Sequence, residues 1–156
     1  MSRRTQKGST MLEFALLAPV VAALITGFVG VSLTFVRTLQ ADELCYKAVR
    51  MAAAGVNFDE DSTKEQVYNL YGGRVLQNRQ GVLYITHIVR EASGYRTAKS
   101  YEMGRVNRWN SSAAAVPESI VRLEPGEDAW VAEIWFDNPS VLSSVTPTTL
   151  HARSVL

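Results

Sequence analysis

Residues 14–36 read FALLAPVVAALITGFVGVSLTFV and contain no ionisable side chain. Twenty-three residues rising about 1.5 Å each make a helix of roughly 34 Å, enough to cross a hydrocarbon core of about 30 Å. A cleaved secretory signal has a shorter apolar region, about 7 to 15 residues, followed by a small-x-small cleavage site. The stretch Leu33-Thr34-Phe35-Val36 offers no such site. Arg3, Arg4 and Lys7 precede the run and outnumber Arg37 just after it. The positive-inside bias therefore places the N-terminus in the cytoplasm and the C-terminal body across the membrane.

This run divides a chain whose averages look ordinary. The 156 residues are 47% hydrophobic and 20% charged, as in a common globular domain. Yet thirteen of the sixteen Lys and Arg, and fourteen of the fifteen Asp and Glu, lie beyond the run. Without residues 1–8 the formal charge changes from +1 to −2, because three cations lie there. No later stripe of cations could neutralise a row of phosphates; Arg105 and Arg108 beside Trp109 come nearest and read as solvated. Nucleic acid is not an expected partner. Cys45 is the single cysteine, so no intramolecular disulfide supports the fold.

Three features do not belong to a plain anchor. Glu13 stands at the start of the run, where an unpaired carboxylate in the membrane costs a few kcal/mol. Pro19 removes a helix hydrogen bond and clashes with the preceding turn, so a kink is expected there. Gly8 separates the basic leader from Ser9. Singly, Glu13 could snorkel to the interface, Pro19 could be a tolerated kink and Gly8 a linker. Together they form an ordered pattern of cations, Gly, four residues, Glu and apolar run.

The segment Lys7-Gly8-Ser9-Thr10-Met11-Leu12-Glu13-Phe14 resembles the processing site of type IV pilins and pseudopilins. The resemblance implies that a membrane prepilin peptidase cuts Gly8-Ser9 on the cytoplasmic side, removing leader 1–8. It makes Glu13 the fifth mature residue. Glu13-Phe14 followed by Ala15-Leu16-Leu17-Ala18-Pro19 is similar to the TadE-like branch, the minor pilins of tight-adherence (Tad) systems. Ser9 departs from the commonest type IV pattern, which has Phe as first mature residue, and this too points to the Tad branch. In related pilins the Glu equivalent to Glu13 is thought to meet the new N-terminal amine of a neighbour and set axial register. A buried pair of that kind specifies register better than it stabilises.

Beyond Val36 the pattern turns amphipathic. Ala41, Leu44, Cys45, Ala48, Val49 and Ala52 recur at i, i+3, i+4 spacing, with Glu43, Lys47 and Arg50 opposite. Glu43 and Lys47 are spaced for a helix ion pair, Cys45 falls on the apolar stripe, and Gly55 offers the stop. One helix over 9–54 is expected, its span at 14–36, followed by a head over 55–156. In the head, Ser62 and Glu65 form a capping-box pattern before a short helix expected to end at Gly72-Gly73. Asp59, Glu60 and Asp61 lack calcium-loop spacing and read as a solvated loop. Val82–Val89 and Tyr95–Tyr101 predict a hairpin. Residues 130–137 alternate, with Trp130, Ala132, Ile134 and Phe136 on the more apolar face, and Thr148–Val155 is a weaker last strand. The expected fold is α+β and pilin-like: a long helix, half transmembrane and half amphipathic, on an antiparallel sheet of three or four strands.

No catalytic set emerges, and neither enzymatic activity nor a cofactor or metal is expected. His87 and His151 lie in expected strands, and no phosphate loop or nucleophile motif is present. Asn110-Ser111-Ser112 fits a glycosylation sequon, a pattern frequent by chance. Glu124, Glu127 and Asp128 surround Gly126 as a turn. Trp130 and Trp135 read as core, and Trp109 as the tryptophan most suited to a partner. The reading is of an inner-membrane, single-pass minor pilin with its head in the periplasm, able to enter an extracellular pilus. Its implied partners are the prepilin peptidase, other minor pilins, the major pilin and the inner-membrane assembly platform, in pilus assembly, adhesion and biofilm formation. Two alternatives remain open: a type II secretion pseudopilin, and an uncleaved single-pass protein whose outer domain binds a ligand.

Overall fold

The computed structural model describes residues 3–70, 73, 76, 80–104, 109–138 and 148–156, with the helix side chains described from Met11 onward. Expectations resting on the side chains of Arg3, Arg4, Lys7 and Ser9, or on Gly72, Arg105 and Arg108, lie outside the described residues.

Helix α1, Arg3–Ala53, is continuous through Pro19 and begins earlier in the chain than expected. Its two halves have opposite surroundings. From Met11 to Val36 the large apolar side chains are exposed, Phe14 at 74% and Phe28 at 76%. This helix alone, among the described residues, is long and apolar enough to cross a membrane, and its most apolar window is nowhere covered by the rest of the chain. From Ala41 onward the stripe read from the sequence is buried: Ala41, Leu44, Cys45, Ala48, Val49 and Ala52. Four of these six are Ala or Cys, and such small side chains let the helix backbone lie close to the sheet. The helix stops where Gly55 adopts φ +82, a conformation that a side chain disfavours. The Gly55 amide donates to the Ala52 carbonyl and the Val56 amide to that of Met51, the paired bonds of a Schellman motif.

Four antiparallel strands form the sheet in the order β2-β1-β3-β4: β1 Gly81–Glu91, β2 Gly94–Gly104, β3 Asp128–Asn138 and β4 Thr148–Val155. The hairpin between β1 and β2 and the last strand are present, and the register shifts between His87 and Ile88. One face carries Leu83, Ile85, Tyr101, Met103, Ala132, Ile134, Phe136 and Ala152, which close one core with the α1 stripe and with Phe58, Val67 and Leu76. Each fully buried Leu, Ile or Phe here contributes roughly 1.5–3 kcal/mol relative to exposure.

Two local expectations are corrected. Helix α2 spans Asp61–Tyr68, its N-cap is Glu60, and no side chain caps it. Ser62 is thus inside the helix, and the capping box does not form. The second correction concerns the outer face of β3, where the alternation leaves Val131 and Glu133 on the less apolar side. Both are fully buried, because the segment from Trp109 to Leu123 crosses that face. It contains the short helix α3, Ser112–Ala115, and a 3-10 turn, Pro117–Ser119. Ala113 packs there with Ile88 and Val131, flanked by Tyr95, Ile120, Val121 and Leu123.

Candidate functional site: the long helix and its seat on the head

Two threonines in the apolar half of α1 bond back to the helix's own carbonyls. Thr26 Oγ1 donates to the Ala22 carbonyl at 2.8 Å and Thr34 Oγ1 to that of Gly30 at 3.0 Å, as a hydroxyl in hydrocarbon must when no water is present. Gly8 and Ser9 lie within the helix backbone, and Glu13 and Phe14 lie on its exposed surface. Ser9 and Glu13 are four residues apart and so share one side of the helix, one turn from each other.

Among the described residues, the head hydrogen-bonds the helix at Thr34, inside the apolar run. Asn138, the last residue of β3, is 2% exposed. Its Nδ2 donates to Thr34 Oγ1 at 2.9 Å, and its Oδ1 accepts from Arg37 Nη1. Thr38 Oγ1 donates to the Thr34 carbonyl at 3.0 Å, continuing the polar column. Two turns further on, Glu43 and Lys47 form the expected exposed pair at 2.6 Å. Cys45 faces inward, its Sγ 3.6 Å from the Ala152 carbonyl, and burial pushes the thiol pKa up to about 12. That environment makes it a packing residue without a reactive thiolate.

The most organised polar site is on the other face of the sheet. The Glu133 side chain is wholly buried. Its Oε2 accepts from Ser111 Oγ and from the Ala113 amide, each at 2.9 Å. Its Oε1 accepts from Arg153 Nε at 3.1 Å, with Arg153 Nη2 at 3.0 Å and His151 Nε2 at 3.7 Å. Burial raises the carboxyl pKa, but His151, the Ala113 amide, Ser111 and the charge of Arg153 outweigh it and hold the pKa at about 2. Ser111 also accepts from the Ala114 amide, capping α3, and lies 3.3 Å from Thr86 Oγ1. One carboxylate thus ties the covering segment to the last strand.

The other sequence candidates occupy structural positions. His87 stacks on Trp130 at 4.4 Å, with Nε2 2.6 Å from Asp128 Oδ2. His151 stacks on Trp135 at 4.0 Å. Trp130 packs against the helix-side core. Trp109 is half-buried, and its carbonyl accepts from Tyr84 Oη at 2.6 Å. Asn110 is exposed beside the cap Ser111. Asp59, Glu60 and Asp61 are exposed around the start of α2. The Glu124–Asp128 segment is a turn with Gly126 at φ +96. Among the described residues, no group of three His, Cys, Asp or Glu side chains could hold a metal.

The family model described as TadE-like protein matches residues 8–50. Over these residues the long helix is similar to that family. The matched segment starts at Gly8 and ends inside the buried stripe, so it includes the apolar half and the seat of the head at Thr34 and Arg37. No curated protein and no solved structure matches the chain. The family match covers 43 of the 156 residues, all of them on α1. The head beyond residue 50 lies outside the match. Glu133, Ser111 and Asn138 therefore escape a reading based on the helix alone; the one signal that could have pointed to them is Ser111 standing as a capping residue before Ser112-Ala113-Ala114-Ala115.

Proposed function

We propose that this chain is a minor pilin of a tight-adherence pilus. It is inserted with its N-terminus in the cytoplasm and its head in the periplasm. A prepilin peptidase cuts Gly8-Ser9, and the mature subunit joins other minor pilins and the major pilin through α1, acting in pilus assembly, adhesion and biofilm formation. Arg3, Arg4 and Lys7 orient insertion and leave with the leader. Glu13 and Phe14 mediate subunit register, and Pro19 bends the helix. One observation supports the reading: the TadE-like match falls on a helix whose large apolar side chains from Met11 to Val36 are exposed while its second half seats a folded head. A helix so divided can pass from lipid to a bundle of neighbours without unfolding the head. The test is fractionation of cells expressing the tagged chain with its assembly machinery. The tag is expected in sheared pili; its confinement to the membrane with pili present contradicts incorporation.

A further inference from the structure

We infer that Asn138 is a depth stop, a positioning residue of the head that sets where α1 leaves the bilayer. The inference rests on the membrane-spanning reading of the helix. Hydropathy alone puts the outer boundary at Arg37, because the apolar run continues through Val36. The structure places a buried amide three residues earlier. Asn138 gives its Nδ2–H to Thr34 and takes a hydrogen from Arg37, so both ends of the amide are used on α1. Asn138 is also the last β3 residue in the ladder, opposite Thr148 of β4. The foot of the sheet therefore stands level with Thr34–Arg37. Drawing Thr34 into hydrocarbon would either immerse a charged guanidinium with its amide partner or break both bonds and leave the amide without partners, and each is unfavourable.

The stop has a consequence at the opposite surface. About twenty helical residues cross the hydrocarbon. A core ending at Leu33 begins near Phe14 and brings Glu13 to the cytoplasmic interface. A core ending at Val36 would begin near Leu17 and leave Glu13 about one turn out in water. A contact made by the head thus fixes the level of the carboxylate proposed to set register, some twenty residues away along the helix.

The experiment uses the full chain in phosphatidylethanolamine–phosphatidylglycerol vesicles. In a Cys45→Ala background, single cysteines at Ser32, Leu33, Phe35, Val36 and Leu39 carry a spin label. Collision with oxygen, set against collision with a water-soluble nickel chelate, locates the lipid boundary. With Asn138 intact the boundary is expected between Leu33 and Phe35. In Asn138→Leu and in Thr34→Val it is expected to move about one helical turn toward the C-terminus. Thr34→Val removes one oxygen with little change of shape and carries the test if Asn138→Leu disrupts the head, which protease resistance would reveal. An unmoved boundary in Thr34→Val overturns the depth stop while leaving the membrane reading standing. The absence of any lipid-accessible stretch in the parent chain overturns the membrane reading itself.

Discussion

Glu133 and Arg153 stand opposite each other in the β3–β4 ladder, and the guanidinium meets the carboxylate through Nε at 3.1 Å and Nη2 at 3.0 Å. The two partners are unequal. Glu133 is completely buried, whereas the Arg153 side chain keeps 32% of its surface in solvent. Removing one member of a buried pair is costly chiefly when the other is left trapped. Arg153→Met strands the carboxylate among neutral donors and His151, and is expected to destabilise the head by about 2–4 kcal/mol. Glu133→Met is expected to cost less, because Arg153 can turn to water. Thermal melts of the full chain in detergent check the order; equal losses would contradict the asymmetry.

The same carboxylate predicts an acid transition. Its pKa falls from 4.5 to about 2 on folding, so the unfolded chain binds the proton more readily. The stabilisation is present above about 4.5 and is lost as pH falls toward 2, an effect on the order of 3 kcal/mol if the whole shift is realised. Melting temperatures taken between these limits should fall steeply in the parent chain and less in Glu133→Gln. Parallel curves would show that Glu133 is not the group responsible.

Cys45 should be silent until the head opens. With the thiol pushed up to about 12 and its side chain wholly enclosed, maleimide at neutral pH is expected to leave the folded chain unlabelled and to label it fully in denaturant. Rapid labelling of the folded chain would mean that α1 lifts from the sheet on the timescale of the reaction.

Glu13→Ala should separate insertion from assembly. The substituted chain is expected to insert and to be processed, because the cations and the apolar run remain, yet to be depleted several-fold from sheared pili when a neighbour's amine loses its partner. Equal amounts of mutant and parent chain in pili would remove that role from Glu13.

The helix and its core were legible because their physics is local and periodic. The stripe from Ala41 to Ala52 repeats with the helix turn, and Trp130 to Phe136 alternates with the strand. The buried site around Glu133 was not legible. Its cover runs from Trp109 to Leu123 through one turn of helix and a 3-10 turn, with no sustained period to reveal an inward face. An alternating strand with Glu133 and Asp137 on one side reads as half solvated, and only the cover reverses that. Asn138 was missed because its value lies in a contact 104 residues away along the chain. The capping-box reading of Ser62 failed because Glu60 starts the helix earlier, and the backbone amides of Thr63 and Lys64 both bond the Glu60 carbonyl.

Whether the helix enters the membrane as a prepilin is decided by the mass of the chain's N-terminus in cells with and without a prepilin peptidase. A mature chain beginning at Ser9 is expected when the peptidase is present, and uncut precursor when it is absent or when Gly8→Leu blocks close approach to the bond. An intact Met1 terminus in peptidase-containing cells, or normal yield of the mature chain from Gly8→Leu, would contradict prepilin processing at Gly8-Ser9.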